Sequence, residues 1–213
     1  QVIVFDPGFH ARVPEKAFMY ALPRRYYEQY GIRRYGFHGT SHYFVSHRAA
    51  EIVGRPVEDL RIITCHLGNG CSIDAVKDGW AVDTSMGFTP LEGLMMGTRT
   101  GDMDIAAALY IMKREGVSPE EMDTILNKKS GLLGVSGISS DMREIESAAR
   151  EGNRLAGLAL DMYCYRIKKY IAAYTGVLGG LDILVFTAGV GEHSPAVREK
   201  SVEGLSFLGI EID

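Results

Sequence analysis

The sequence predicts an α/β fold built on a mixed sheet, and three stretches carry that expectation. Residues 62–84 read as strand, glycine turn, strand, hairpin, strand. Residues 102–174 then take on helical periodicity, and residues 182–203 form a strand, a glycine turn and a capped helix. Strands followed by helices, with a strand–turn–helix unit behind them, imply a sheet flanked by helices.

Composition bounds the function classes. The 213 residues are 46% hydrophobic and 23% charged, with 23 Lys and Arg against 27 Asp and Glu, a net charge of −4. That supplies a sizeable core and offers no basic surface for nucleic acid or for an anionic membrane. The apolar runs 156–160 and 183–186 are too short to span a bilayer. Cys65, Cys71 and Cys164 are odd in number and lack metal-ligand spacing, so buried thiols in a reducing cytoplasm are expected. The chain opens inside a strand-like run without Met and stops just after another, so both ends are expected to continue.

In chain order, residues 2–5 form an apolar strand-like run ended by the turn signal Asp6-Pro7-Gly8. Residues 41–53 read as a helix, with Phe44, Val45, Ala49, Ile52 and Val53 on its apolar face. Residues 62–65 are β-rich and break at Gly68-Asn69-Gly70, residues 72–76 alternate, and Lys77-Asp78-Gly79 is a hairpin turn into a third strand at 80–84. Asp102 can cap a helix over 105–114, and Ser118-Pro119-Glu120-Glu121 is a capping box opening a helix to about residue 126. Ser140 can cap 143–150. Residues 153–174 predict a long amphipathic helix, with Leu155, Leu158, Met162, Tyr165 and Ile171 inward and its tyrosines used in packing. Residues 182–187 are an apolar strand, Ser194-Pro195 starts a helix through 203, and 207–212 is strand-like.

Four motifs could carry chemistry. His66-Leu67-Gly68-Asn69-Gly70 is either a phosphate-approaching turn, glycine backbone admitting an anion beside an Asn donor, or a plain hairpin. Thr187-Ala188-Gly189-Val190-Gly191-Glu192-His193-Ser194 joins a strand to a helix, as nucleotide-binding turns do, but it is not GxGxxG and lacks the following ribose-binding acid. In Gly97-Thr98-Arg99-Thr100-Gly101 one Arg stands on exposed, mobile backbone, free to grip a carboxylate or phosphate or simply to be solvated. In Gly36-Phe37-His38-Gly39-Thr40-Ser41-His42 the first His precedes a helix start and can face a cleft; His42 and His47 read as ordinary surface or packed histidines, and no zinc pattern or nucleophile elbow is present.

Together these residues resemble the acetate kinase family. The resemblance rests on Phe5-Asp6, Tyr35-Gly36-Phe37-His38-Gly39-Thr40-Ser41-His42, His66-Leu67-Gly68-Asn69-Gly70, Thr84-Ser85-Met86-Gly87-Phe88-Thr89-Pro90-Leu91-Glu92-Gly93, Met96-Gly97-Thr98-Arg99, Asn127-Lys128-Lys129-Ser130-Gly131 and Phe186-Thr187-Ala188-Gly189-Val190-Gly191-Glu192. It implies an actin-like ATPase (ribonuclease H-like) lobe. Residues 1–10 would be a hinge from an absent N-terminal lobe, and 11–213 a C-terminal nucleotide-binding lobe cut short at its end. It also implies ATP/ADP with Mg²⁺ as cofactors, acetate and acetyl phosphate as partners, direct in-line phosphoryl transfer and a homodimer.

By resemblance Asp6 would orient acetate at the hinge, His38 would stabilise the transferring phosphoryl, and Arg99 would hold the acetate carboxylate and transition-state charge. His66, Leu67, Gly68, Asn69 and Gly70 would line the phosphate channel. Asp141, Met142 and Arg143 would lie near the adenosine with Gly189, Val190, Gly191, Glu192 and His193. His193 departs from the Asn common in the family. No metal ligand is assigned: the family's magnesium-positioning Glu, its phosphate-binding Asn and its second acetate-binding Arg have no counterpart in this sequence.

Overall fold

The computed structural model describes residues 5–211. A 3₁₀ turn at Asp6–His10 leads to the short helices α1 (Glu15–Phe18) and α2 (Arg25–Tyr30), then α3 (Gly39–Val53). Strands β1 (Ile62–Leu67), β2 (Cys71–Lys77) and β3 (Trp80–Thr84) follow. Next come α4 (Ile105–Glu115), α5 (Pro119–Lys128), α6 (Gly131–Ser136), α7 (Met142–Arg150) and α8 (Arg154–Leu178). Strand β4 (Ile183–Thr187), α9 (Ala188–His193) and α10 (Pro195–Val202) complete the order. The sheet runs β3-β2-β1-β4. β2 pairs antiparallel with β1 and with β3, while β4 lies parallel to β1, so the sheet is mixed, as expected.

Alternation sorts the strand residues onto two different faces. Ile63, Cys65 and Leu67 of β1 and Cys71, Ile73 and Ala75 of β2 join one large core with α8. The opposite face is apolar only at one end, where Ile62 and Val76 pack with Ala50 of α3 and with Phe9. Its other end is polar: the cross-strand pairs are Thr64 with Asp74 and His66 with Ser72. α3 covers these residues, and Thr64, Ser72 and Asp74 are fully buried beneath it.

This polar floor explains why the predicted apolar face of α3 is wrong. His42, Ser46 and Ala50, one helical turn apart, point down, and Phe44, Ile52 and Val53 are exposed. Of the stripe expected to face inward on α8, Ile171 does so and the rest does not. Leu155, Leu158, Met162 and Tyr165 face outward, while Ala156, Ala159, Tyr163, Cys164, Ile167 and Ile171 are buried. The buried face mixes the small Ala156, Ala159 and Cys164 with the large Tyr163, Ile167 and Ile171, so position around the helix, not side-chain size, decides burial. Tyr163, Tyr170 and Tyr174 do pack inward, and the three cysteines are buried free thiols.

Several caps shift. Asp104, not Asp102, caps α4 by accepting from the Ala106 N–H; Asp102 instead accepts from Gly93 N–H and the Tyr170 hydroxyl. Asp141, not Ser140, caps α7. The capping box of α5 and the Ser194 cap of α10 stand as expected. Residues 206–208 form a 3₁₀ turn rather than a strand, between Gly204 and Gly209, whose left-handed backbone breaks an extended run. The expected strand at 2–5 lies outside the described residues except for Phe5, and Ile212 also lies outside them.

Candidate active site

Three chain segments meet at one edge of the sheet. Because β1 and β4 are parallel, their C-terminal ends lie side by side, His66 opposite Thr187. The turn at residues 68–70 and the start of α9 are therefore neighbours, the position at which open α/β sheets bind ligands. The start of α3 arrives at the same edge, because Ser41 and His42 of its first turn bond to β1 residues His66 and Thr64.

His38 caps α3 in the left-handed conformation, φ 58°. The Asp6 carboxylate holds it there by accepting from its backbone N–H at 2.9 Å. Gly39 permits the approach: a Cβ there would sit 2.1 Å from the Asp6 carbonyl oxygen. Non-glycine residues avoid positive φ at a cost of about 1–2 kcal/mol. Among the described residues such backbone occurs at His38, Asp78 and Ala188. Asp78 serves the hairpin, whereas His38 and Ala188 both stand at this edge, where strain points to function.

Beneath α3 lies a chain of buried polar groups. His38 Nδ1 is 2.8 Å from Ser72 Oγ, and the same oxygen is 2.6 Å from His42 Nε2. His42 Nδ1 meets Thr64 Oγ1 at 2.7 Å, and Asp74 meets His10 Nε2 at 2.7 Å. Burial holds the His42 pKa down to about 4 despite the Asp74 charge. Burial also lowers the His10 pKa, but Asp74 outweighs it and the net shift is upward. For Asp74 burial pushes upward, and the imidazoles of His42 and His10 reverse it, leaving the carboxylate ionised.

Arg99 reaches the same place from the other side. A Cβ placed on Gly70 would lie 3.4 Å from Arg99 Nη1 and 3.6 Å from His38 Nε2, so both groups border the space over Gly70. The guanidinium donates to the Pro90 carbonyl at 3.3 Å and pairs with no carboxylate among the described residues. Its loop is not mobile surface backbone, as the glycines suggested. Ser130 N–H donates to the Thr98 carbonyl, Leu133 N–H to Gly97 and Thr100 N–H to Leu126, which ties the loop to α5 and α6. Gly131 fits under it, where a Cβ would meet the Met96 carbonyl at 2.1 Å.

Beside this point opens a cavity of about 460 Å³. Gly68, Asn69, Asp141, Met142, Arg143, Gly189, Val190 and His193 line it, with Leu132, Ser140, Glu146 and Ser194. Asp141 and Arg143 pair with each other at its mouth, and the guanidinium draws the carboxyl pKa down to about 2.

Residues 1–213 match the acetokinase family. The chain belongs to the acetate kinase family. It is 61% identical over 213 residues to the acetate kinase of Dictyoglomus turgidum and 62% identical to that of Desulforamulus reducens, covering 100% of this chain and 53% and 54% of those proteins. The crystal structure of Porphyromonas gingivalis acetate kinase superposes with a TM-score of 0.97 at 53% identity, over 99% of this chain and 53% of that one. A propionate kinase from Francisella tularensis superposes with a TM-score of 0.94 at 45% identity, over 99% and 54%. The chain thus spans about half the length of the curated relatives it matches.

Within this member of the acetate kinase family the expected site residues divide. Asp6, His38, His66, Gly70 and Arg99 gather at the sheet edge. Gly68, Asn69, Asp141, Met142, Arg143, Gly189, Val190 and His193 line the adjoining cavity. Three point elsewhere. The Leu67 side chain is fully buried in the core, Glu192 is exposed outside the cavity lining, and Gly191 is buried against the sheet. A Cβ on Gly191 would touch Phe186 and Cys65, not the cavity, whereas Gly189 lines the cavity. β4, although apolar, is only half-buried at the edge of the described sheet. The residues behind His38 were missed, although alternating Thr64, His66, Ser72 and Asp74 beside His38 and His42, four apart, is a legible signal of one polar face meeting another.

Proposed function

We propose that this chain is the nucleotide-side lobe of an acetate kinase, which transfers the γ-phosphoryl of ATP directly to a carboxylate oxygen of acetate. The observation that carries this reading is the meeting of His38 Nε2 and Arg99 Nη1 over Gly70, next to a cavity of nucleotide-turn residues. Acetate and the γ-phosphoryl are both anions, and the chemistry requires positioning and charge neutralisation more than covalent help. Arg99 is a permanent cation whose fork fits a planar carboxylate. His38 offers an imidazole nitrogen to the phosphoryl oxygens, and Asp6 fixes His38 through its backbone. The cavity at Asp141, Gly189 and Val190 takes the adenosine, with phosphates running past residues 68–70 toward His38. In this reading residues 1–10 are the hinge and 11–213 the C-terminal lobe of a two-lobed cytoplasmic homodimer.

The resemblance implies Mg²⁺. Among the described residues no three His, Cys, Asp or Glu side chains group to hold a metal ion, and the Asp6 carboxylate is engaged by His38. The described residues therefore do not make up a metal site.

The test is acetyl phosphate formation from ATP and acetate by a chain of the family's full length, with propionate as competitor because a propionate kinase shares the fold. Acetate-dependent turnover with kcat/KM above that for propionate supports the reading. Turnover with propionate alone moves the substrate, and turnover with neither overturns it.

A further inference from the structure

We infer that Ser72, directed by His42 and Asp74, holds His38 as a neutral imidazole carrying its hydrogen on Nε2, the nitrogen that borders the site. The position of that hydrogen follows from the buried hydrogen-bond geometry around a neutral His42; its use in catalysis rests on the function proposed above.

Ser72 Oγ stands between two imidazole nitrogens, His38 Nδ1 at 2.8 Å and His42 Nε2 at 2.6 Å. A hydroxyl has one hydrogen, so it donates to one nitrogen and accepts from the other. His42 decides which. It is fully buried and neutral, with a pKa near 4, so it carries a single N–H. Its Nε2 lies 3.6 Å from Asp74 Oδ1, an anionic oxygen with no hydrogen-bond partner among the described residues. The other Asp74 oxygen is held by His10. A hydrogen on His42 Nε2 turns its positive end toward that carboxylate, whereas a lone pair there would face it with like charge. The hydrogen therefore sits on Nε2, and His42 Nδ1 accepts from the Thr64 hydroxyl at 2.7 Å.

The direction then runs in one sense. Thr64 O–H donates to His42, His42 Nε2–H donates to Ser72, and Ser72 O–H donates to His38 Nδ1. With Nδ1 accepting, the hydrogen of neutral His38 must be on Nε2, beside Arg99 at the space over Gly70. A donor N–H there can bond a phosphoryl oxygen as its charge grows; the opposite tautomer would present a lone pair to an anion. The charged and titratable groups around His38 are Asp6 and His10 of the 3₁₀ turn, His42 of α3, His66 of β1, Asp74 of β2 and Arg99 of its loop. Burial is the largest influence on His38, and its pKa is lowered, consistent with a neutral ring. Ser72 is thus a positioning residue: it acts through His38 and touches no substrate.

The experiment uses a chain of the family's full length, labelled with ¹⁵N-histidine. Long-range ¹H–¹⁵N correlation above the His38 pKa is expected to show an Nε2–H tautomer; an Nδ1–H tautomer overturns the inference. Ser72→Ala should lower kcat about tenfold to hundredfold with little change in either KM, the usual scale for a group that orients an active residue. Ser72→Thr keeps the hydroxyl and should restore most of kcat. His42→Gln keeps a donor near Nε2 and should retain more activity than His42→Leu. Wild-type kcat in Ser72→Ala, or a loss in KM alone, overturns the inference even when His38→Ala is inactive. If the unmodified enzyme makes no acetyl phosphate, the proposed function falls, and the imidazole spectrum still decides where the hydrogen is.

Discussion

The imidazoles of His38 and His66 stack face to face, their centroids 4.1 Å apart and their planes inclined by 23°. Two charged rings at that distance would repel strongly. Burial first, and the neighbouring His38 next, hold the His66 pKa down to about 4, and Ser41 Oγ meets its Nδ1 at 2.8 Å. The site therefore reaches neutral pH with His66 uncharged and Arg99 as a fixed cation.

Arg99 is expected to act through its charge and its planar fork. Arg99→Ala should lower kcat by about 10²–10³, the scale of one lost transition-state donor. Arg99→Lys keeps the charge but not the fork and should not restore the rate. Steady-state kinetics decides it, and near wild-type turnover in Arg99→Lys would contradict the assignment.

His38→Ala should depress kcat far more than it raises KM for ATP or acetate, because the imidazole serves the transferring phosphoryl more than either ground state. A change confined to KM would make His38 a binding residue only.

The two glycines of the β4–α9 turn should part company. Gly189 opens on the cavity, so Gly189→Val is expected to raise the KM for ATP and leave that for acetate unchanged. Gly191 rests on the sheet, so the extra methyls of Gly191→Val should lower Tm with both KM values nearly intact. A selective ATP defect in Gly191→Val at unchanged Tm would reverse this division.

Acid should destabilise the fold through His42. The folded imidazole takes its proton only near pH 4, and the unfolded one near 6.5, so the unfolded chain binds more protons between them. Stability is then present above pH 6.5 and lost as pH falls toward 4, by about 3 kcal/mol for a shift of this size. His66 contributes in the same direction, while His10, whose pKa is raised, stabilises below 6.5 and opposes them. Urea midpoints measured from pH 7 to pH 4 should fall, and His42→Gln should flatten the slope. An unchanged slope in that variant would show that His42 does not titrate as described.

The 213-residue chain by itself should show no acetate-dependent release of ADP, since it spans about half the length of its relatives and its site lies open at one sheet edge. An open site leaves charges screened by water and substrates poorly aligned. A coupled ADP assay on this chain beside a full-length one is the measurement, and substantial acetate-dependent turnover from the short chain would refute the two-lobed reading.

Local chemistry made much of the fold legible. The Asp-Gly pair turns the β2–β3 hairpin with both residues at positive φ. Ser118 and Glu121 form their capping box, Ser194 starts α10, and the strands stand where β-rich runs met glycines. These features depend on neighbours in sequence, so they were legible there, together with the α/β class and the motif residues of the family. Which face of a helix is buried depends on what it lands on, and that is a matter of three-dimensional packing. α3 lands on the polar end of β1 and β2, so it buries His42 and Ser46 and leaves Phe44 exposed. α8 buries Ala156, Ala159 and Tyr163 and leaves Leu155 and Leu158 exposed, because the first three lie on the face turned to the core. The same placement joins Asp74, His42 and Ser72 to His38 across separate elements. Most buried hydroxyls find a partner where the fold brings one, and no spacing along the chain encodes that meeting.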